Sequence, residues 1–537
     1  RFSGGFTISK VAAAEDGRAL RATTVDTMMR IDLPRPLAPG ASFGFDLEFS
    51  FPLVDATKIR MRQGFEKFPD GHSIYEIAHF YPRMAAYVDY QGWQHKQFLG
   101  AGEFTLDLGD YRLAIDVPSD HIVAATGSLQ NAQTVLTAAQ RQRFAQARDA
   151  KKPMYIVTPD EAKATEKGKA KDRKVWRFAA ENVRDVAFAS SRKFIWDAMG
   201  VQSGPNRVLA MSFFPNEGDP LWSQYSTEAV AHTIETYSRY TFDYPYPVAI
   251  SVNGPVGGME YPMICFNQPR PFDDKTYWGQ PSEKERSWKR SKYGLISVVI
   301  HEVGHNYFPM IVNSDERQWT WMDEGLNSFL QILAEQSWEK DYPSRRGDPK
   351  KIVEFMLSVD QTPIMTNSES ALQFGNSQYG KPATALNILR ESILGRELFD
   401  FAFREYARRW KFKHPTPADF FRTMEDASGV DLDWFWRGWF YGTDHVDVAI
   451  SGVRELVLDS RDPAIEKPRQ KAYEDAEPTT LFEQRYEEAK KRVDERPELA
   501  DFYNRYDEYR VTPTDTADYV KLLESLEGAE RELIASK

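Results

Sequence analysis

Hydrophobic alternation organises the first two hundred residues of the chain. Phe43, Phe45, Leu47, Phe49 and Phe51 alternate with smaller or polar residues, the period-two pattern of a half-buried strand. Leu113, Ile115 and Val117 repeat it ahead of Pro118, and Val123 to Thr126 predicts another strand leading to a turn at Gly127. From Asn131 to Lys174 the chain turns polar, first Gln/Arg/Ala-rich and helical in composition, then marked by Lys163, Lys167, Lys169, Lys171 and Lys174. Such a charge run predicts a solvated insertion between strands.

Near Ser203 the texture shifts towards helices. Thr227 to Tyr240 has helical spacing, and Phe242-Asp243-Tyr244-Pro245-Tyr246-Pro247 is too proline-rich to continue it. Val248 to Val252 predicts a short strand, and Gly254-Pro255-Val256-Gly257-Gly258 a turn. Helices are predicted from Glu283 to about Phe440, closing on Trp434, Phe435, Trp436, Trp439 and Phe440, an aromatic cluster expected to pack between them. The C-terminal region reads as charged and helical, with Tyr519, Leu522, Leu523 and Leu526 at helical spacing. No internal repeat of fixed period is visible.

Composition narrows the classes. A length of 537 residues suggests roughly three or four domains. The balance of 42% hydrophobic and 27% charged residues excludes a disordered or fibrous chain. A net charge of −11 argues against a broad nucleic-acid surface, so no nucleic-acid partner is expected. No apolar run reaches the roughly eighteen residues a membrane span needs. The single cysteine, Cys265, excludes an internal disulfide framework and suits the cytosol and a bacterial periplasm alike. The chain opens on Arg1 with no charged-then-apolar leader, so its numbering is expected to start inside a longer gene product.

His301-Glu302-Val303-Gly304-His305 carries the chemistry. Positions i and i+4 share one helical face, so both imidazoles can reach one metal. The apolar run Leu295, Ile296, Val298, Val299 and Ile300 predicts a buried helix that would hold them rigidly. Glu302 then projects beside the metal, placed to take a proton from water. Two histidines and a carboxylate with one open position form a recurring catalytic zinc set. Glu324 follows His305 after eighteen residues, within Trp319-Thr320-Trp321-Met322-Asp323-Glu324, and Asp323 competes with it on spacing alone. Asn313-Ser314-Asp315 can turn the chain between the two helices.

This spacing resembles the gluzincin zinc aminopeptidases, the aminopeptidase N and leukotriene hydrolase family. The family's Gly-Ala-Met-Glu-Asn strand has a counterpart in Gly257-Gly258-Met259-Glu260-Tyr261, which ends forty positions before His301. Phe242 to Pro247 resembles the approach to that strand, Gln378-Tyr379-Gly380-Lys381 the segment of the transition-state tyrosine, and Asp431 to Phe435 the helix closing the catalytic region. The resemblance runs from about Phe43 to Gly442 and is strongest between Phe242 and Tyr379.

It implies an α+β multidomain fold: a saddle-like β-rich domain over 1–200, a thermolysin-like, mainly helical catalytic domain over 201–445, and a charged helical region over 446–537. It also implies one Zn²⁺ held by His301, His305 and Glu324, Glu302 as general base and Tyr379 as oxyanion donor. Glu260 would bind the α-ammonium of a peptide with a free N-terminus, and Gly257, Gly258 and Met259 would line the substrate. The implied activity is zinc aminopeptidase, with an endopeptidase, an epoxide-type hydrolase or a non-catalytic scaffold as alternatives. The chain departs from the pattern at Tyr261, where most members have Asn, and at Gly258, where they have Ala. The family's upstream amine-binding residue should fall near His79-Phe80-Tyr81-Pro82-Arg83, where only His79 is a weak candidate. A basic patch for a substrate carboxylate is not identifiable from the residues alone. A missing strand or two before Arg1, and further protein after Lys537, are expected.

Overall fold

A computed structural model of the chain describes residues 4–277, 291–446, 448, 459–487, 490–501 and 507–535. The predicted helical stretch from Glu283 to Arg290 lies outside them.

Antiparallel pairing builds the N-terminal region. The alternating Phe/Leu run becomes strand Phe45–Ser50, half-buried and exposed by turns, paired with Thr7–Ala13. Gly109–Pro118 carries Leu113, Ile115 and Val117 in a three-stranded sheet with Arg173–Val183 and Ser128–Leu129. A four-stranded sheet runs Ile122–Ala125, Phe188–Ser191, Ser73–Ile77, Gln63–Lys67.

The stretch from Asn131 to Lys174 corrects the expectation of a solvated insertion. Thr137 and Thr158 close capping boxes on helices Ala138–Ala147 and Pro159–Thr165. Between them Met154–Val157 pairs with Ile195–Ser203. Ala147, Ile156 and Ala162 are buried in the main core, while Lys163, Lys167 and Lys171 stay exposed. The lysines set the composition, but the sparse apolar residues decide the fold.

A six-stranded mixed sheet supports the catalytic region. Its order is Met154–Val157, Ile195–Ser203, Asn206–Phe214, Val248–Asn253, Ile264–Asn267, Met259–Tyr261. Asn206–Phe214, Val248–Asn253 and Ile264–Asn267 run parallel, and Met259–Tyr261 returns antiparallel at the edge. Helix Leu221–Tyr240 lies on this sheet, starting six residues before the predicted Thr227, with Leu221, Trp222 and Tyr225 buried. It packs against helix Lys292–Gly304, which packs in turn against Glu324–Gln336. In the closing aromatic cluster Phe435, Trp436 and Phe440 are buried as expected, whereas Trp434 is 61% exposed. The C-terminal region is helical at Pro463–Ala476 and Pro513–Ser525. Arg492 ties it down through Glu228 and Glu235 of helix Leu221–Tyr240, each at 2.7 Å.

Candidate metal centre

Helix Lys292–Gly304 begins where the Ser291 hydroxyl accepts the Gly294 N–H at 2.7 Å. Leu295, Ile296, Val299 and Ile300 are fully buried, as their run predicts. A Cβ at Gly304 would collide with Asn327 and Tyr237, so this position admits no side chain. That close approach lets Asn327 Nδ2 donate to the His301 carbonyl at 2.9 Å while Tyr237 donates to Asn327 Oδ1 at 2.9 Å. The helix end is thereby pinned to helix Glu324–Gln336.

His301 and His305 face each other with their Nε2 atoms 3.1 Å apart. Glu324 Oε2 stands 3.0 Å from His301 Nε2 and 3.4 Å from His305 Nε2. The opposite ring nitrogens are both engaged by acceptors: His301 Nδ1 lies 2.9 Å from Gln331 Oε1, and His305 Nδ1 2.9 Å from both the Phe308 carbonyl and Asp323 Oδ1. Each Nδ1 therefore carries the proton, and two Nε2 lone pairs point at one spot beside a carboxylate. Lone pairs this close repel one another unless a cation sits between them, so the donor set fits Zn²⁺. Of the two competing acids, Glu324 reaches this spot and Asp323 sits behind His305. Glu324 is held well below the usual carboxylate range: burial opposes its charge, but His305 and His301 outweigh it.

The remaining predicted residues converge on the same place. Glu302 is 5% exposed, and its Oε2 has no hydrogen-bond partner among the described residues. Burial pushes its carboxyl up, against the pull of His305. Glu260, on edge strand Met259–Tyr261, brings a carboxylate oxygen within 4.8 Å of both a Glu302 oxygen and a His305 nitrogen. Burial likewise raises the Glu260 carboxyl. Tyr379, on the π-helical turn Gly375–Gly380, donates to Glu324 Oε1 at 2.6 Å and stacks on the His301 ring at 5.9 Å. Gly258 has φ +54°, and a Cβ there would lie 3.0 Å from Glu302 Oε1, so alanine would be both strained and crowded. A Cβ at Gly257 would collide with Gln268. The Met259 side chain is fully buried in the core, which leaves only its backbone to face a substrate.

Tyr261, the departure from Asn, has a structural account. Its hydroxyl accepts the His79 N–H at 2.8 Å, and its ring meets His79 and Phe104 edge-on. It thus staples the edge strand to the N-terminal region. His79 turns its Nε2 to Glu103 Oε2 at 2.8 Å. Glu103 also accepts from Arg62 Nε at 2.9 Å, and Arg62 Nη1 donates to the Gly258 carbonyl at 2.9 Å. Glu103, which sequence reasoning missed, is a carboxylate of the N-terminal region that bears electrostatically on Glu260 and is tied to the edge strand through Arg62 and His79. Its placement depends on Glu316, which accepts the Glu103 and Phe104 N–H groups at 2.9 Å each; no local pattern announces it.

Replacing Asp323 with Asn, which keeps the shape behind His305 but removes the charge, is expected to weaken zinc binding by roughly tenfold to a hundredfold. A chelator competition checks this, with a thermal melt to confirm the fold.

A mixed sheet backed by an HExxH helix, with two histidines and a distant glutamate around one buried point, supplies the donor set of a catalytic zinc centre. Residues 225–439 match the Peptidase family M1 domain. Glutamyl aminopeptidase of Bos taurus is 25% identical over 244 residues, covering 42% of this chain and 24% of that protein. Probable aminopeptidase 1 of Sulfurisphaera tokodaii is 25% identical over 232 residues, covering 40% and 28%. The matched stretch thus spans about a quarter of the length of these relatives. An M1 zinc metallopeptidase from Deinococcus radiodurans shares the fold at TM-score 0.56 and 15% identity, over 84% of this chain and 87% of that one. A mutant of the Deinococcus protein, solved bound to a Tyr-Ser-Ala substrate, aligns at TM-score 0.54 and 15% identity, over 82% and 86%. No described helix is long and apolar enough to cross a membrane.

Proposed function

We propose that this protein is a zinc aminopeptidase, carrying one zinc per chain and hydrolysing the N-terminal peptide bond of peptides. The observation that carries this reading is Glu260, whose carboxylate lies within 4.8 Å of Glu302 and His305. An anion so close to the reacting centre leaves room for little more than one residue of substrate, at about 3.4 Å per extended residue. The names of the aminopeptidase relatives and the peptide-bound Deinococcus structure support it.

His301, His305 and Glu324 would hold the metal, which when bound polarises the scissile carbonyl and makes a neighbouring water more acidic. Glu302 would take the proton of the attacking water and pass it to the leaving amine. Its raised basicity and its unpartnered oxygen suit that task. Tyr379 would donate to the oxyanion developing on the carbonyl. Glu260 would hold the α-ammonium, with Glu103 adding negative charge behind it, and the backbone at Gly257 and Gly258 would let the substrate lie close.

The test compares a peptide with its N-acetylated twin. Acetylation removes the ammonium and leaves Glu260 buried without its partner, at a cost of roughly 2–5 kcal/mol. The blocked peptide is therefore expected to be cut at least about thirtyfold more slowly. Glu260→Ala should narrow that gap by damaging mainly the free-amine substrate. Equal rates, or internal cleavage of a long blocked peptide, would move the assignment to an endopeptidase.

A further inference from the structure

Away from the metal centre, two helix ends meet around a basic hollow. Helix Arg396–Arg409 packs against helix Leu221–Tyr240, and near their C-terminal ends lies an open cavity of about 380 Å³. Arg239, Arg404, Arg408 and Lys411 line it, against one carboxylate, Asp243. Four cations less one acid leave the lining at +3, in a chain whose net charge is −11. None of the lining residues belongs to the metal centre.

Cations in the last turn of a helix are ordinary, because the carbonyl end of the dipole favours them. That accounts for Arg404, whose Nη2 donates to the Arg239 carbonyl at 2.9 Å. It does not account for the others. Lys411 lies beyond the helix end with its ammonium 4.8 Å from the Phe242 ring centroid, where burial lowers its basicity and Asp243 only partly opposes that. Arg408 reaches Glu405 only at 4.0 Å, and Arg239, Arg404 and Lys411 form no ion pair among the described residues. Further acids near Arg239 are engaged elsewhere: Glu235, one turn earlier, with Arg492 at 2.7 Å, and Glu495 with Lys490. Like charges around one open space repel one another, and an anion among them relieves the repulsion.

We propose that this cavity is a binding site for a small dianion of the phosphate class, free phosphate or a phosphate monoester, held among Arg239, Arg404, Arg408 and Lys411. A guanidinium offers phosphate two parallel N–H donors, and an ammonium adds a compact point charge. A lining at +3 suits a dianion better than a singly charged carboxylate. The volume lies at the lower end of small-molecule pockets, about 300–1,000 Å³, which leaves room for a small organic body beside the phosphate. Ser238, also in the lining, meets the Tyr307 hydroxyl at 2.9 Å, so an occupant would sit one residue away from the turn that follows His305.

The experiment is isothermal titration calorimetry on the full chain, with ionic strength held constant by sodium chloride. The probes are inorganic phosphate, glycerol 3-phosphate and, as the uncharged control, glycerol. Saturable one-to-one binding of at least one phosphate probe is expected, with glycerol silent. Equal affinities would make the phosphate group alone the ligand, and tighter binding of glycerol 3-phosphate would show that the organic body contributes; either supports the site. Arg408→Gln should weaken binding about tenfold, and the Arg408→Gln, Lys411→Gln pair about a hundredfold, while Arg408→Lys keeps most of the affinity. The Arg408 side chain is 61% exposed, so its replacement leaves the packing intact and decides the matter even if the double variant fails to fold. No saturable binding to wild type overturns the proposal. So does an affinity unchanged in Arg408→Gln and in the folded double variant, which would place the phosphate elsewhere on the molecule.

Discussion

Glu302→Gln retains zinc but loses about a thousandfold in kcat, if Glu302 moves protons and does not bind the metal. The substitution preserves volume, and the buried pocket beside His301 and Gly258 can accept it without repacking. What it removes is a carboxylate whose Oε2 has no hydrogen-bond partner among the described residues. Glu324→Ala should show the converse pattern, losing metal first and activity with it, because Glu324 Oε2 lies 3.0 Å from one Nε2 atom and 3.4 Å from the other. Metal analysis after gel filtration, beside steady-state rates, separates the two. An active Glu302→Gln protein, or a Glu324→Ala protein that binds zinc normally, would exchange the roles assigned to these acids.

Tyr379→Phe is expected to lower kcat by about a hundredfold while KM changes little, since an oxyanion donor acts on charge that exists only in the transition state. The phenyl ring keeps the stacking on His301 and the contact beneath Arg346, so the loss reports the hydroxyl alone. Burial and the neighbouring Glu324 both hold that hydroxyl protonated, which keeps it a donor. A matching fall in substrate affinity would instead point to a role in ground-state binding.

The metal helix was the most readable part of the molecule, because its information is local. Two histidines four apart on an apolar helix already share a face, and Glu324 needed only a turn and a second helix to join them. Asp323 could not be separated from Glu324 by spacing. The difference lies in which side of His305 each carboxylate approaches, and that is set by how the two helices pack. Glu103, Gln331 and Arg346 were invisible for a related reason: each reaches the centre from another element, through contacts with no periodic signature. The strand Met154–Val157 was hidden differently. Four residues inside a lysine-rich stretch are outvoted in any average of composition, yet an edge strand needs no more.

That edge strand also bears on how the molecule comes apart. Met154–Val157 and Ile195–Ser203 arrive from the N-terminal side of the chain, yet they extend the sheet that carries Val248–Asn253 and the metal-facing edge. A cut near position 200 would pass through Ile195–Ser203 and leave Asn206–Phe214 with an open row of backbone donors and acceptors, an invitation to pair with a neighbouring molecule. The β-rich half and the catalytic half are therefore expected to unfold as one cooperative unit, seen as a single calorimetric transition, and a catalytic fragment expressed without its N-terminal half should aggregate before it can bind zinc.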